Sequence, residues 1–368
     1  MEFAQWLRTI CTLIISGTVQ NPPPTVRAPC DAFHPAYEID AKVGERLRRI
    51  ERLDHDLALL EAGDEERAML RAALSYNAYG TASIEGNPLT LDEVQSVLAQ
   101  GPTPEAMRTP DEREVLNWAA FMERLGERSV PRAVADVEAL HALLFEGVLS
   151  PARGLGRIKE KANYIGRSDG TVVYVPTPPE RAAAELQAAL DWYHAAPDPP
   201  LVRAWLFHAE FEAIHPFLDG NGRLGRALMT LMLHHAGYPG VRHALVDYAI
   251  NADRASYYDA LARAQRQPED LTPWLRYASG VFESAYSDAV ARLTVGRDVG
   301  LNPRQAQVAA WLLRVCRGDR RVAFGDVHAA FPHLNRRTLQ EDLRRLVQAG
   351  FLDLRGARRG ATYGLSTR

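Results

Sequence analysis

Apolar residues recur at helical spacing through most of this 368-residue chain. Val43, Leu47, Ile50, Leu53, Leu57 and Leu60 share one face of a helix expected over Ala41 to Glu61, and a second is expected over Glu65 to Glu85. Gly86 suits the position after a helix and Pro88 prevents continuation, while Thr90-Leu91-Asp92-Glu93 has the form of a capping box opening the next helix. Asp111 to Leu125 and Ala133 to Val148 continue the helical pattern. Between Gly154 and Glu180 the pattern changes. Asn163 to Gly166 and Thr171 to Val175 flank Ser168-Asp169-Gly170, whose Asp-Gly pair suits a tight hairpin turn, and the exposed edge of such a hairpin can pair with an extended segment of another protein. Pro178-Pro179-Glu180 opens a helix through His194. Leu201, Ala204, Trp205, Phe207, Phe211 and Ile214 then keep the helical period, and Leu224, Leu228, Leu231 and Met232 resume it after an interruption.

The interruption, His215-Pro-Phe-Leu-Asp219-Gly-Asn-Gly-Arg223-Leu-Gly-Arg226, is dense in chemistry. Asp219-Gly220-Asn221-Gly222 tolerates positive φ, so backbone N–H groups can converge on an anion at the start of the following helix. Arg223 and Arg226 are three residues apart, on one helix face, and can clamp neighbouring phosphates. A carboxylate beside phosphates needs a bridging hard cation, which makes Asp219 a candidate magnesium ligand. His215 is placed to take a proton from an incoming nucleophile. Gly220-x-Gly222-x-x-Gly225 also matches the dinucleotide fingerprint, but no strand precedes it and no βαβ unit surrounds it. His208, seven before His215, is expected to be a core histidine, since no Cys or second His stands at metal spacing.

These twelve residues resemble the signature of Fic-domain proteins, His-x-Phe-x-Asp/Glu-Gly-Asn-Gly-Arg-x-x-Arg, at every specified position. The resemblance implies a mainly α fold, a Fic-type helical bundle with a β-hairpin flap, that transfers AMP from ATP to a Ser, Thr or Tyr hydroxyl of a target protein. It implies ATP as substrate and Mg2+ as cofactor. It makes His215 the general base, Asp219 the metal ligand, Asn221 and the Gly220 to Gly222 backbone the phosphate cradle, Arg223 and Arg226 the clamps, and Phe217 a core anchor. Asn221 and Arg223, with the metal, would stabilise developing charge. Thr81-Ala-Ser-Ile-Glu85-Gly86 resembles the family's inhibitory motif, in which the glutamate pairs with the second arginine, here Arg226, and blocks the γ-phosphate. On helical spacing alone, Glu85 in the last turn calls for a cationic partner or for solvent, and the Thr81 hydroxyl on the same face can steady its carboxylate. The hairpin corresponds to the flap that docks the target segment, so Ile165, Gly166 and Tyr174 become target-binding candidates. Asn251, Arg254, Tyr257 and Tyr258 resemble a later helix closing over the nucleotide, with Tyr258 expected to pack in the core. The same site can run the reverse reaction, removing AMP from a modified protein, or carry UMP or phosphocholine.

Composition adds a division. The chain has a net charge of -3, but from residue 299 onward thirteen Arg face five carboxylates, a balance of +8 that leaves -11 for the first 298 residues. Ser279 to Leu293 reads as a helix leading through a short link into this basic unit. The unit reads helix (Arg304 to Cys316), helix (Phe324 to Phe331), helix (Arg336 to Ala349), then strands at Phe351 to Leu354 and Thr362 to Leu365, and it looks like a winged helix. Arg336, Arg337, Arg344 and Arg345 on its third helix and Arg355, Arg358 and Arg359 in its wing have the spacing of DNA contacts, although winged helices also bind proteins. A DNA-binding regulator whose nucleotide site acts as a sensor is therefore the alternative to an enzyme. The expected divisions are a poorly patterned segment 1–32, an N-terminal helical region 33–130, a catalytic core 131–285, a linker helix end 286–298 and the winged helix 299–368.

Cys11, Cys30 and Cys316 form no metal spacing, and a reducing cytoplasm fits them. Thr9 to Ser16 is apolar but too short to span a bilayer, and Glu2 and Arg8 precede it without a small-x-small cleavage site after it. No membrane partner is expected, and a homodimer is left open.

Overall fold

A computed structural model describes residues 25–27, 32–59, 64–100, 108–166, 172–316, 320–356 and 361–366. Cys11, Cys30, the Ser168-Asp169-Gly170 turn, Arg358, Arg359 and most of the segment 1–32 lie outside the described residues.

Helices dominate, and their ends follow local chemistry. Helix α1 spans Ala41–Leu59 and α2 spans Asp64–Ile84. Helix α3, Leu91–Ala99, starts at the expected capping box, with Glu93 N–H donating to Thr90 and the Glu93 carboxylate accepting from the Thr90 N–H. A second box, Thr109 with Glu112, opens α4, Pro110–Glu123. Helix α5 is Val134–Leu144, shorter than its apolar pattern suggested, because the chain turns at Phe145 toward the site. Helices α6, Pro179–Ala195, α7, Pro200–Ile214, and α8, Asn221–His235, form the centre of the molecule. Only Pro200 and Arg203 of α7 escape burial, so its apolar residues run around the whole cylinder. His208 is among them, fully buried and within 2.9 Å of the Tyr257 hydroxyl.

Two short helices follow, α9 over Val246–Ala252 and α10 over Arg254–Arg266. Helix α11 then runs unbroken over Thr272–Val299, so residues 286–298 are helical throughout and the link after them is reduced to Gly300 to Asn302. Helix α11 packs on α1 and, beyond the link, on α12, Pro303–Val315. The remaining elements are α13, Phe324–Ala330, and α14, Arg336–Gln348, with a three-stranded antiparallel sheet.

The expected hairpin is present, with a difference. Strands β2, Ile165–Gly166, and β3, Val172–Val175, pair antiparallel, but β1, Thr25–Val26, pairs parallel with the other side of β3. Arg27 anchors this strand, bonding Glu185 of α6 at 2.9 Å and Glu210 of α7. Thr25 and Val26, within the stretch that looked unpatterned, thus occupy one edge of the hairpin. Tyr174, expected as a docking residue, is buried with its hydroxyl donating to Ala213 O at 3.1 Å. Of the three docking candidates, Ile165 and Gly166 lie on an edge strand of this sheet and Tyr174 on its central strand. In the second sheet, β4, Val322–Ala323, and β5, Leu352–Arg355, flank β6, Thr362–Leu365.

The C-terminal unit rests on α2 and α9. His333, in the turn before α14, sits 6.2 Å from the Tyr76 ring and 5.8 Å from the Tyr248 ring, and its Nδ1 is 3.3 Å from the Tyr248 hydroxyl. Burial holds the His333 imidazole down at about 4, opposed weakly by Asp92, and burial with Arg292 and Arg242 does the same for His243. An unfolded histidine titrates near 6.5, so the unfolded chain binds more protons between there and 4. Stability is therefore lost as pH falls through this window, by up to about 1.4 kcal/mol per pH unit for each histidine. The thermal midpoint should drop from pH 7 to pH 5, and His333→Phe should flatten that drop; an unchanged slope would remove His333 from the linkage.

Candidate active site

The loop between α7 and α8 begins with a residue in an unusual conformation. His215 ends α7 at φ 50 and ψ 61, the one non-glycine residue with positive φ among the described residues. This left-handed geometry costs free energy unless the surroundings hold it. Lys159 supplies the hold. Its ammonium donates to Ile214 O at 3.1 Å, His215 O at 2.9 Å and the Asn163 side chain at 2.8 Å, filling three donors with three acceptors. Asn163 in turn donates to His215 O and Phe217 O at 3.2 and 2.8 Å. A cation at the carbonyl end of α7 also opposes the helix dipole. Burial nevertheless pulls the Lys159 pKa down to about 7, against Glu185, which raises it.

The rest of the loop is fixed from both sides. Asn221 spends its side chain on Phe217, accepting from the Phe217 N–H and donating to the Phe217 carbonyl, both at 2.9 Å. These two bonds fix the shape of the loop. Phe217 is buried and stacks on His141 at 4.0 Å. His141 Nδ1 accepts from the Gly156 N–H at 2.9 Å, so Nε2 carries the proton and donates to Asp219 O at 3.0 Å. Gly220 takes φ 83 to start α8. The His215 ring is 21% exposed, with Nδ1 enclosed 3.6 Å from Glu212 Oε2. That contact leaves Nε2 as the nitrogen on the open side, the arrangement a general base requires.

Both motif arginines face carboxylates. Arg223 Nη1 is 2.9 Å from Glu114 and Nη2 is 3.0 Å from Asp219, with the guanidinium 4.7 Å over the Phe145 ring. Asp219 also meets Arg153 at 2.8 Å and accepts from the Gly220 N–H at 2.7 Å. Its side chain is a third exposed, and one accessible carboxylate beside a phosphate cradle is the donor set magnesium uses when phosphate oxygens complete its shell.

Arg226 is enclosed. It bonds Glu85 Oε1 at 3.0 Å, lies 3.3 Å from Asp247, and donates through Nε to Thr81 Oγ1 at 3.1 Å and through Nη2 to Thr81 O at 3.2 Å. Burial works to lower its pKa, and Glu85, Tyr257 and Asp247 together more than reverse that. Thr81 therefore holds the arginine and not the glutamate, because the guanidinium fork lies between them. Glu85 also reaches the start of α8. A Cβ on Gly222 would stand 2.2 Å from Glu85 Oε1, so the carboxylate lies where the first-turn N–H groups of α8 favour an anion. Over the C-terminal end of α2, Arg254 donates to Ser83 O and Tyr258 to Ile84 O, at 3.3 and 3.1 Å. Tyr258 is 47% exposed, so it braces the helix end and does not pack in the core.

Glu114, His141, Lys159, Asn163, Glu212 and Asp247 complete the site, and only Glu212, three residues before His215 on the same helix face, carried a local signal.

A loop joins two buried helices, with a histidine at one end, the N-terminus of a helix at the other and the Glu85 carboxylate from the end of a third helix set against that N-terminus. Residues 132–233 match the Fic/DOC family, so the chain carries a Fic domain over that segment. It is 26% identical over 294 residues to protein adenylyltransferase fic-1 of Caenorhabditis elegans, covering 76% of this chain and 54% of that protein. It is 30% identical over 246 residues to protein adenylyltransferase Fic of Drosophila ananassae, covering 64% and 46%. The chain thus spans about half the length of the curated relatives it matches. A Fic family protein from Desulfovibrio desulfuricans G20 superposes with a TM-score of 0.61 at 25% identity, over 91% of this chain and 99% of that one. Among the described residues no helix is long and apolar enough to cross a membrane.

Lys159→Met should leave the Ile214 and His215 carbonyls short of donors and release the strained His215. Urea unfolding should show a loss of about 1–3 kcal/mol; a variant as stable as the parent would show that Lys159 does not hold the loop.

Proposed function

We propose that this chain is a protein adenylyltransferase, moving AMP from ATP to a Ser, Thr or Tyr hydroxyl of a target protein, held inactive by Glu85. The observation that carries the reading is the Glu85 carboxylate bonded to Arg226 and set against Gly222, an internal anion in the place an ATP phosphate would take. One guanidinium cannot hold a carboxylate and a phosphate in the same geometry, so the plug and a productive triphosphate exclude each other.

In the reaction the target hydroxyl oxygen bonds the α-phosphorus, the bond from that phosphorus to the bridging oxygen breaks, and pyrophosphate leaves. His215 Nε2 takes the hydroxyl proton while Glu212 steadies the imidazolium through Nδ1. The α8 N-terminal amides and Arg223, once a phosphate competes with Glu114 and Asp219 for it, bind the phosphate oxygens. Asp219 would hold magnesium, which when bound neutralises phosphate charge. The open edge of β2 at Ile165 and Gly166 is where an extended target segment would add, since β1 fills the other side of the sheet.

Transfer from α-labelled ATP with magnesium and cell lysate tests this. Glu85→Gly should raise labelling above the parent, and adding His215→Ala should lower it by about 10²–10⁴. A parent as active as Glu85→Gly sinks the autoinhibition, and undiminished label in the double variant removes His215 as base.

We also read residues 303–365 as a winged helix, on its order of helix, strand, helix, helix and two strands. Arg336, Arg337, Arg344 and Arg345 are all exposed along α14, though Arg337 pairs with Glu341 at 3.1 Å and Arg355 with Asp353 at 3.1 Å. Such a face supports duplex binding as a second activity. Full-length protein should then bind duplex DNA with an affinity that falls steeply with salt, and Arg344→Glu with Arg345→Glu should abolish it; binding indifferent to those charges would end that reading.

A further inference from the structure

Between the N-terminal half of α2 and the helices α4, α8 and α9 lies a cavity of about 240 Å³ that the chemistry above does not use. It is walled by Leu70 and Leu74 of α2, Met122 of α4 and Val246 of α9, so its body is apolar. Its size is below the roughly 300–1,000 Å³ of drug-sized pockets and suits a ligand of fragment size. Its polar groups are arranged unevenly. Arg71 is exposed and Arg242 half-buried, and among the described residues neither is in an ion pair; Arg67 adds a third positive charge and Glu123 the one opposing carboxylate on the exposed side. In the wall is Trp118, 4% exposed, whose Nε1 has no hydrogen-bond partner. A buried donor left unpaired costs free energy that an acceptor on a ligand would recover. An apolar interior with excess positive charge at its opening and an unused donor in its wall calls for an amphiphile with one anionic end.

We infer that this cavity is a binding site for a small apolar carboxylate, with its hydrocarbon between α2 and α4 and its carboxylate at Arg71 and Arg242. The position gives it a consequence. Asp247, the second counter-ion of Arg226, lines the same cavity, and so does the helix that delivers Thr81 and Glu85. A ligand seated there contacts α2 in its docked position and favours that position over any in which α2 has moved. The binding itself stands independently of the transferase reading.

Decanoate is the probe, titrated calorimetrically into the full chain, with decan-1-ol supplying the body without the charge and acetate the charge without the body. Decanoate should bind saturably at one site and raise the thermal midpoint. Affinity should fall about tenfold or more for decan-1-ol and for decanoate with Arg71→Glu, a surface change that leaves the fold intact, and acetate should not bind. Leu74→Trp should fill the cavity and abolish binding. Absence of saturable binding up to about 1 mM, or binding that Arg71→Glu leaves unchanged, overturns the proposal. So does binding that survives in a folded Leu74→Trp variant.

Discussion

A single buried cation organises this molecule. Arg226 has a side chain only 1% exposed, and an ion withdrawn from water carries a penalty of several kcal/mol unless partners replace the lost solvent. Two segments distant in sequence provide them: α2 with the turn that ends it, through Thr81 and Glu85, and α9, through Asp247. Folding the site therefore requires α2 and α9 to close over α8, and the close packing of α2 on α9 is the backbone expression of that requirement. The surplus of carboxylate is as informative as the pairing. Burial raises the Asp247 pKa to about 6 even though Arg226 opposes the shift, so this acid is held in an expensive place for the sake of the arginine.

Two carboxylates on one guanidinium also explain how the plug can leave. If Glu85 were the sole partner, its departure would strand a buried charge. With Asp247 remaining, Arg226 stays paired, and a phosphate oxygen can take the vacated side. Glu85 meanwhile is 30% exposed and carried on the turn that ends at Gly86, outside the last residue of the helix. Glu85 is the accessible member of the set, because its carboxylate has water within reach and it follows the last helical residue, its N–H bonded back to Ala82 O at 3.1 Å.

Much of this was legible in the sequence, and the divide is physical. The motif from His215 to Arg226 and the turn at Glu85 to Gly86 are local patterns, set by which residues tolerate positive φ, cap a helix or bind an anion within one or two turns. The helices likewise follow from apolar spacing, to within a few residues at their ends. What stayed hidden depends on chain segments that meet only after folding. Lys159 and Asn163 stand in a polar stretch with no periodicity, yet they hold the strained backbone of His215. Glu114 and Asp247 look like ordinary acids on helix faces. The residue type of Asn221 suits phosphate binding, and only the folded loop shows its amide bonded twice to Phe217. Thr25 and Val26 gave no signal because a two-residue strand is defined by its partner, here β3, and by the buried Arg27 beyond it.

The same distinction governs what controls the site. Helix α2 is clamped along its length, by Tyr248 and His333 against Tyr76 in its middle and by Arg254 and Tyr258 at its end. Moving the helix as a body would break all of these contacts at once, the one to His333 of the C-terminal unit among them. Turning Glu85 away disturbs one hydrogen bond to an arginine that keeps its other partners. The low-cost route to an open cradle is thus local, at the turn, and the rigid helix behind it serves to return the carboxylate to the same place. An intramolecular anion on so short a tether competes at a high effective concentration. On the proposed function, nucleotide must then bind through several contacts before it displaces Glu85, and an event that loosens the turn at Gly86 shifts that competition.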